Sequence, residues 1–91
     1  MAITIRLPGT LRQYAGGNRL VEIESRSVSD ALQSLSSTYP AVGERVLDED
    51  GRPRRFVNIY VNGEDVRLLQ GADTPLQDGD EVILAPAVAG G

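Results

Sequence analysis

The residues of this chain that could do chemistry lie at one end. Residues 87–91 read Ala-Val-Ala-Gly-Gly, a run with no charge and no side-chain bulk at its last two positions. Such a run cannot pack on itself, and fully extended it spans at most about 17 Å. A terminal carboxylate on Gly91 can therefore enter a narrow site on another protein while the globular part stays outside. Gly90 and Gly91 suit that task, because a backbone without Cβ lets the walls of such a site approach closely. A carboxylate is a poor electrophile until it carries a leaving group. No Gly-rich phosphate-cradling loop is present, so activation of that carboxylate is expected to belong to a partner.

The rest of the inventory removes other chemistry. The 91 residues include no cysteine, histidine or tryptophan, and all nine basic residues are arginines. Thiolate nucleophiles, imidazole bases, thiolate or imidazole metal sites and Schiff-base lysines are excluded, and disulfides with them. The expectation is a chain that is not an enzyme and binds no metal or cofactor itself. A net charge of −4 argues against nucleic acid, where affinity rests on basic side chains meeting phosphates. Arg52, Arg54 and Arg55 face the run Asp48-Glu49-Asp50, so the local charge nearly cancels and reads as a solvated loop. The longest apolar run, 82–89, is broken by Pro86 and falls short of the roughly 20 residues that span a bilayer. The amino-terminal residues alternate apolar and polar instead of forming a basic then apolar leader, so no membrane and a cytoplasmic location are expected.

The elements that must position the end of the chain follow from periodicity. Ile3, Ile5 and Leu7 alternate with Thr4 and Arg6, and Val21 and Ile23 with Glu22 and Glu24, predicting two strands across a long loop; Thr10 to Ala15 is too short and mixed to assign. Ser27-Val28-Ser29-Asp30 resembles a capping box. Val28, Ala31, Leu32, Leu35 and Tyr39 then mark one helical face until Pro40, and a second short helical turn is predicted over 41–47. Residues 56–61 form a β-branched and aromatic run before Asn62-Gly63, a hairpin signal that predicts a return strand over 66–69. A turn at 78–80 leads into a last strand halted by Pro86. Five strands and one principal helix close one core as an α+β domain, a mixed sheet with the helix across one face.

The order of these elements, the stretch Phe56-Val57-Asn58-Ile59-Tyr60-Val61-Asn62-Gly63-Glu64-Asp65-Val66-Arg67, the turn Asp78-Gly79-Asp80-Glu81-Val82 and the ending Pro86-Ala87-Val88-Ala89-Gly90-Gly91 together resemble the MoaD/ThiS family of ubiquitin-like sulfur carriers. Segments 55–62 and 84–91 look most like its CysO-type members, which serve cysteine biosynthesis. The resemblance implies a ubiquitin-like β-grasp domain over 1–86 and a flexible tail, Ala87, Val88, Ala89, Gly90 and Gly91, that inserts into partner active sites. It further implies that a ubiquitin-activating-type adenylating enzyme or sulfurtransferase uses ATP to adenylate the Gly91 carboxylate, and that a sulfur donor then displaces AMP to leave a thiocarboxylate. The implied acceptor is an aminoacrylate on a pyridoxal-phosphate (PLP)-dependent cysteine synthase, with a metal-dependent peptidase releasing cysteine afterwards. The alternative within the family is the small subunit of molybdopterin synthase, feeding the large subunit, and a second class is a ubiquitin-like protein modifier whose activated Gly91 acylates a target lysine. A noncovalent β-grasp binding module is a further class.

A tail alone offers little area, so an apolar patch on the sheet is expected to meet the activating enzyme. Alternation sets Val57, Ile59 and Val61 on one face and Phe56, Asn58 and Tyr60 on the other. Phe56 and Ile59, one from each face, and Arg67 for acidic contacts are the candidate partner surface.

Overall fold

The computed structural model describes residues 1–86; the tail expected at 87–91 lies outside the described residues. Strand β1 (Ala2–Arg6) pairs antiparallel with β2 (Leu20–Glu24), Ile3 opposite Ile23 and Ile5 opposite Val21. Period-two alternation sends all four of these side chains into the core. The loop between the strands is helical: Pro8 leads into α1 (Gly9–Arg12) and a 3₁₀ turn (Gln13–Ala15), closed by Gly16 at φ 65°. Only Leu11 and Ala15 in this stretch are buried, too few apolar positions to show a period in the sequence.

Helix α2 (Val28–Thr38) begins where the capping residues stand. Ser27 Oγ accepts from the Asp30 N–H at 3.1 Å, and Asp30 Oδ2 accepts in return from the Arg26 N–H at 3.2 Å. Its buried stripe is Val28, Ala31, Leu32 and Leu35. Pro40 then opens α3 (Pro40–Val46) at a first-turn position, where its missing N–H costs nothing. The two helices touch through Gly43, where a Cβ would lie 2.9 Å from Ser36 Cα.

Strand β3 (Val57–Val61) turns through Asn62 (φ 52°) and Gly63 (φ 86°), a type I′ pair of positive φ angles, into β4. The return strand expected over 66–69 does not form. Strand β4 is only Glu64–Asp65, and Val66–Leu68 is a 3₁₀ turn. The reason is local: Asp65 Oδ1 accepts from the Arg67 N–H at 2.8 Å and bends the backbone. Val66 is thereby buried while Leu68 stands 78% exposed.

Strand β5 (Glu81–Pro86) lies at the centre of the sheet, whose order is β2-β1-β5-β3-β4. It runs parallel to β1 and antiparallel to β3, which makes the sheet mixed. One continuous core joins the inward residues of β1, β2, β3 and β5 to those of α1, α2 and α3, so the helices share one face of the sheet. No helix among the described residues is long and apolar enough to cross a membrane.

Candidate functional site

The site is built where β5 ends. Pro86 pairs with Val57, the first residue of β3, so the chain reaches residue 87 from the middle of a five-stranded sheet. At that point β5 is held by β3 alone, because its pairing with β1 ends at Ile83. Beside it lies an apolar groove of about 290 Å³, lined by Pro8, Leu11, Tyr14, Phe56, Leu84 and Pro86 among others. The groove exists because α1 and α3 leave that end of the core partly uncovered and Phe56, just before β3, stays 56% exposed. Arg45 closes one wall, its guanidinium 3.6 Å from the Tyr14 ring centroid, a cation–π contact.

The three residues expected to form a partner surface do not share one place. Phe56 lines the groove at the chain's exit. Ile59 is 4% exposed: position 59 falls on the helix side of β3, so its side chain completes the core and offers no patch, which corrects the expectation from sequence. Arg67 borders a different groove, along β3 and the 3₁₀ turns, and is tied to its own chain. Its Nη2 donates to Asp65 Oδ2 at 2.7 Å and its Nε to Asp65 Oδ1 at 3.1 Å. The side-chain hydrogen bond, then the backbone one, hold the Asp65 carboxyl below its usual 3.8, and the same carboxylate raises Arg67. Arg67 still presents most of its side chain to solvent, 75% exposed.

The charged loop carries no functional constellation. Asp48 Oδ1 accepts from the N–H groups of Asp50 and Arg52, a turn-forming use of the carboxylate. Among the described residues no group of three or more acidic side chains could hold a metal ion. The groove itself was not visible to sequence reasoning. Pro8, Tyr14 and Arg45 come from segments with no common period, and only the fold brings them to Phe56 and Pro86.

This topology, two hairpins flanking a helix with β1 and the last strand parallel at the centre, defines a ubiquitin-like β-grasp protein, and its functional end is the chain leaving β5. The model of the ThiS family matches residues 5–91, and the chain belongs to that family. It is 41% identical over 93 aligned positions to the sulfur carrier protein CysO of Mycobacterium tuberculosis, covering all of both chains. It is 36% identical over 93 positions to small archaeal modifier protein 3 of Haloferax volcanii, again over the whole of both. Among solved structures, a chain of the Amycolatopsis orientalis BexX/CysO complex superposes with a TM-score of 0.88 at 37% identity, covering 99% of this chain and 100% of that one.

Proposed function

We propose that this chain is a stoichiometric sulfur carrier, most directly for cysteine synthesis, and not itself an enzyme. The observation that carries the reading is the whole-length similarity to a CysO sulfur carrier, which takes in the Gly90-Gly91 end. A partner adenylating enzyme joins the Gly91 carboxylate to the AMP moiety of ATP and expels pyrophosphate. The acyl adenylate now has a good leaving group, so a sulfide-equivalent nucleophile displaces AMP and leaves a thiocarboxylate. That sulfur is anionic at neutral pH and nucleophilic toward an electrophilic carbon such as an aminoacrylate on a PLP enzyme. A metal-dependent peptidase would then release the amino acid from Gly91.

The fold supports this division of labour. Strand β5 leads the chain out of the middle of the sheet along β3, and the groove beside Pro86 offers a partner an apolar hold close to where the reacting end begins. Groove contacts raise affinity, while positioning of Gly91 is left to the partner's own site. A second reading, covalent attachment of Gly91 to a target lysine, is favoured by the modifier relative. The same adenylate serves both, so the nucleophile decides between them.

The test is ATP–pyrophosphate exchange by the cognate adenylating enzyme. Exchange is expected to require this chain and to vanish when Gly91 is deleted. Exchange that survives the deletion would contradict activation at Gly91, and lysine conjugates without sulfur transfer would favour the modifier.

A further inference from the structure

Three arginines from separate segments converge beside the chain's exit. Arg6 on β1, Arg12 at the end of α1 and Arg19 just before β2 line, with Leu20, a notch of about 270 Å³. Among the described residues the only carboxylate paired with any of them is Glu81, whose Oε2 lies 3.1 Å from Arg6 Nη2. Arg12 Nε reaches the Leu7 carbonyl at a long 3.4 Å, and Arg19 is exposed. Three like charges lining one notch repel one another, an arrangement that an incoming anion relieves.

The notch belongs to a wider asymmetry set by strand direction. β1 and β5 are parallel with Arg6 beside Ile83, so Pro86 lies only three residues further along, about 10 Å. Arg45 lines the exit groove, and Arg55 immediately precedes Phe56 and β3, whose first residue pairs with Pro86. Arg6, Arg12, Arg19, Arg45 and Arg55, five of the nine arginines, thus stand toward the exit end. The opposite end carries Glu24 beside Ala2, Glu64 after the Asn62-Gly63 turn, and Asp78 and Asp80 in the turn before β5. Glu44 on α3, with Asp48 and Glu49, lines a different groove, and Arg54 lies in that groove with them. A chain of net charge −4 therefore presents a cationic end around the root of its reacting segment.

We propose that this arginine notch docks a carboxylate-rich surface, aspartate and glutamate side chains, of the protein that activates the chain; the inference rests on the proposed function and names the partner surface it requires. Residues 87–91 span at most about 17 Å, so a protein holding Gly91 in its active site must come up against the exit end. Carboxylates that such a protein presents at that end are attracted by the notch over about a Debye length, near 8 Å at physiological salt. The nucleotide that reacts with Gly91 is bound in the partner's own active site, which leaves the notch to protein carboxylate and not to nucleotide phosphate. Guanidinium forks match carboxylates with two parallel hydrogen bonds, and half-exposed Leu20 gives the rim an apolar edge.

The experiment measures ATP–pyrophosphate exchange by the cognate adenylating enzyme, with the full chain titrated at low and physiological salt. The variants are the double reversal Arg12→Glu/Arg19→Glu, the milder Arg19→Gln, and Arg26→Glu at the opposite end as control, each first checked for folding by its amide NMR spectrum. The double reversal is expected to raise KM for the chain about tenfold with kcat unchanged and to flatten its salt dependence, Arg19→Gln to shift it the same way by less, and Arg26→Glu to stay within about twofold. If the double reversal will not fold, Arg19→Gln carries the test alone. Wild-type exchange with unchanged KM in the variants would overturn the docking and leave the proposed function standing. No exchange by the wild-type chain would overturn the function and the docking together. Saturable amide shifts at Arg12, Arg19 and Leu20 on adding inorganic phosphate alone would instead mark a small-anion site and overturn the proposal.

Discussion

At the scale of single residues, two side chains separate stability from function. Ile59 and Phe56 lie three positions apart on adjoining sequence, yet one is sealed in the core and the other stands half open on the exit groove. The expected outcome for Phe56→Ser follows from that exposure. Its stability should change by no more than about 0.5 kcal/mol, because little buried surface is lost. Its KM for the activating enzyme should rise about tenfold, because aromatic side chains in a groove tend to anchor an interface. Thermal melts and exchange kinetics on the same preparation check this: a lowered melting temperature with unchanged KM would make Phe56 a packing residue. The sequence revealed Phe56 as apolar and near a strand but not which way it faced. A hydrophobic alternation has two faces, and only the packed helices show which one is inside.

At the scale of elements, legibility follows how local the determinants are. The Ser27 cap, the Val28 to Leu35 stripe and the Asn62-Gly63 turn rest on interactions within a few residues, and each forms as the pattern indicates. The return strand expected over 66–69 does not form because the Asp65 carboxylate captures the Arg67 N–H, a local hydrogen bond that outcompetes the apolar pattern there. The helical turn over Gly9 to Ala15 was hidden because tertiary contact with two buried side chains, and not amphipathic period, holds it. The α2–α3 contact was equally silent, since nothing in the local sequence says that Gly43 lies against Ser36. Gly43→Ala tests that contact. Alanine gains up to about 1 kcal/mol of helix propensity, but its Cβ meets Ser36 backbone and side chain, so overpacking of about 1–3 kcal/mol should win and the net should be destabilising. Urea denaturation reads the result, and a midpoint at or above wild type would show that the two helices part without cost.

At the scale of the whole molecule, strand direction places the functional features together. Parallel β1 and β5 bring the ends of both strands to one side of the sheet, and antiparallel β3 starts there. The apolar groove, the arginine notch and residue 86 therefore share one end, although the residues that make them range from Arg6 to Pro86 in sequence. The likeness to sulfur carriers was legible in the strand order and the glycine end; the groove and the notch were not, because they depend on register between distant strands. The central claim is that Gly91 becomes a thiocarboxylate. The chain is incubated with its adenylating enzyme, ATP and a sulfide source, alkylated with iodoacetamide, and its C-terminal peptide is analysed by mass spectrometry. Because the chain has no cysteine, alkylation mapped to Gly91 and dependent on ATP reports the new sulfur directly. The sulfur-carrier reading predicts that label; formation of the adenylate with no alkylatable sulfur at Gly91 would contradict it.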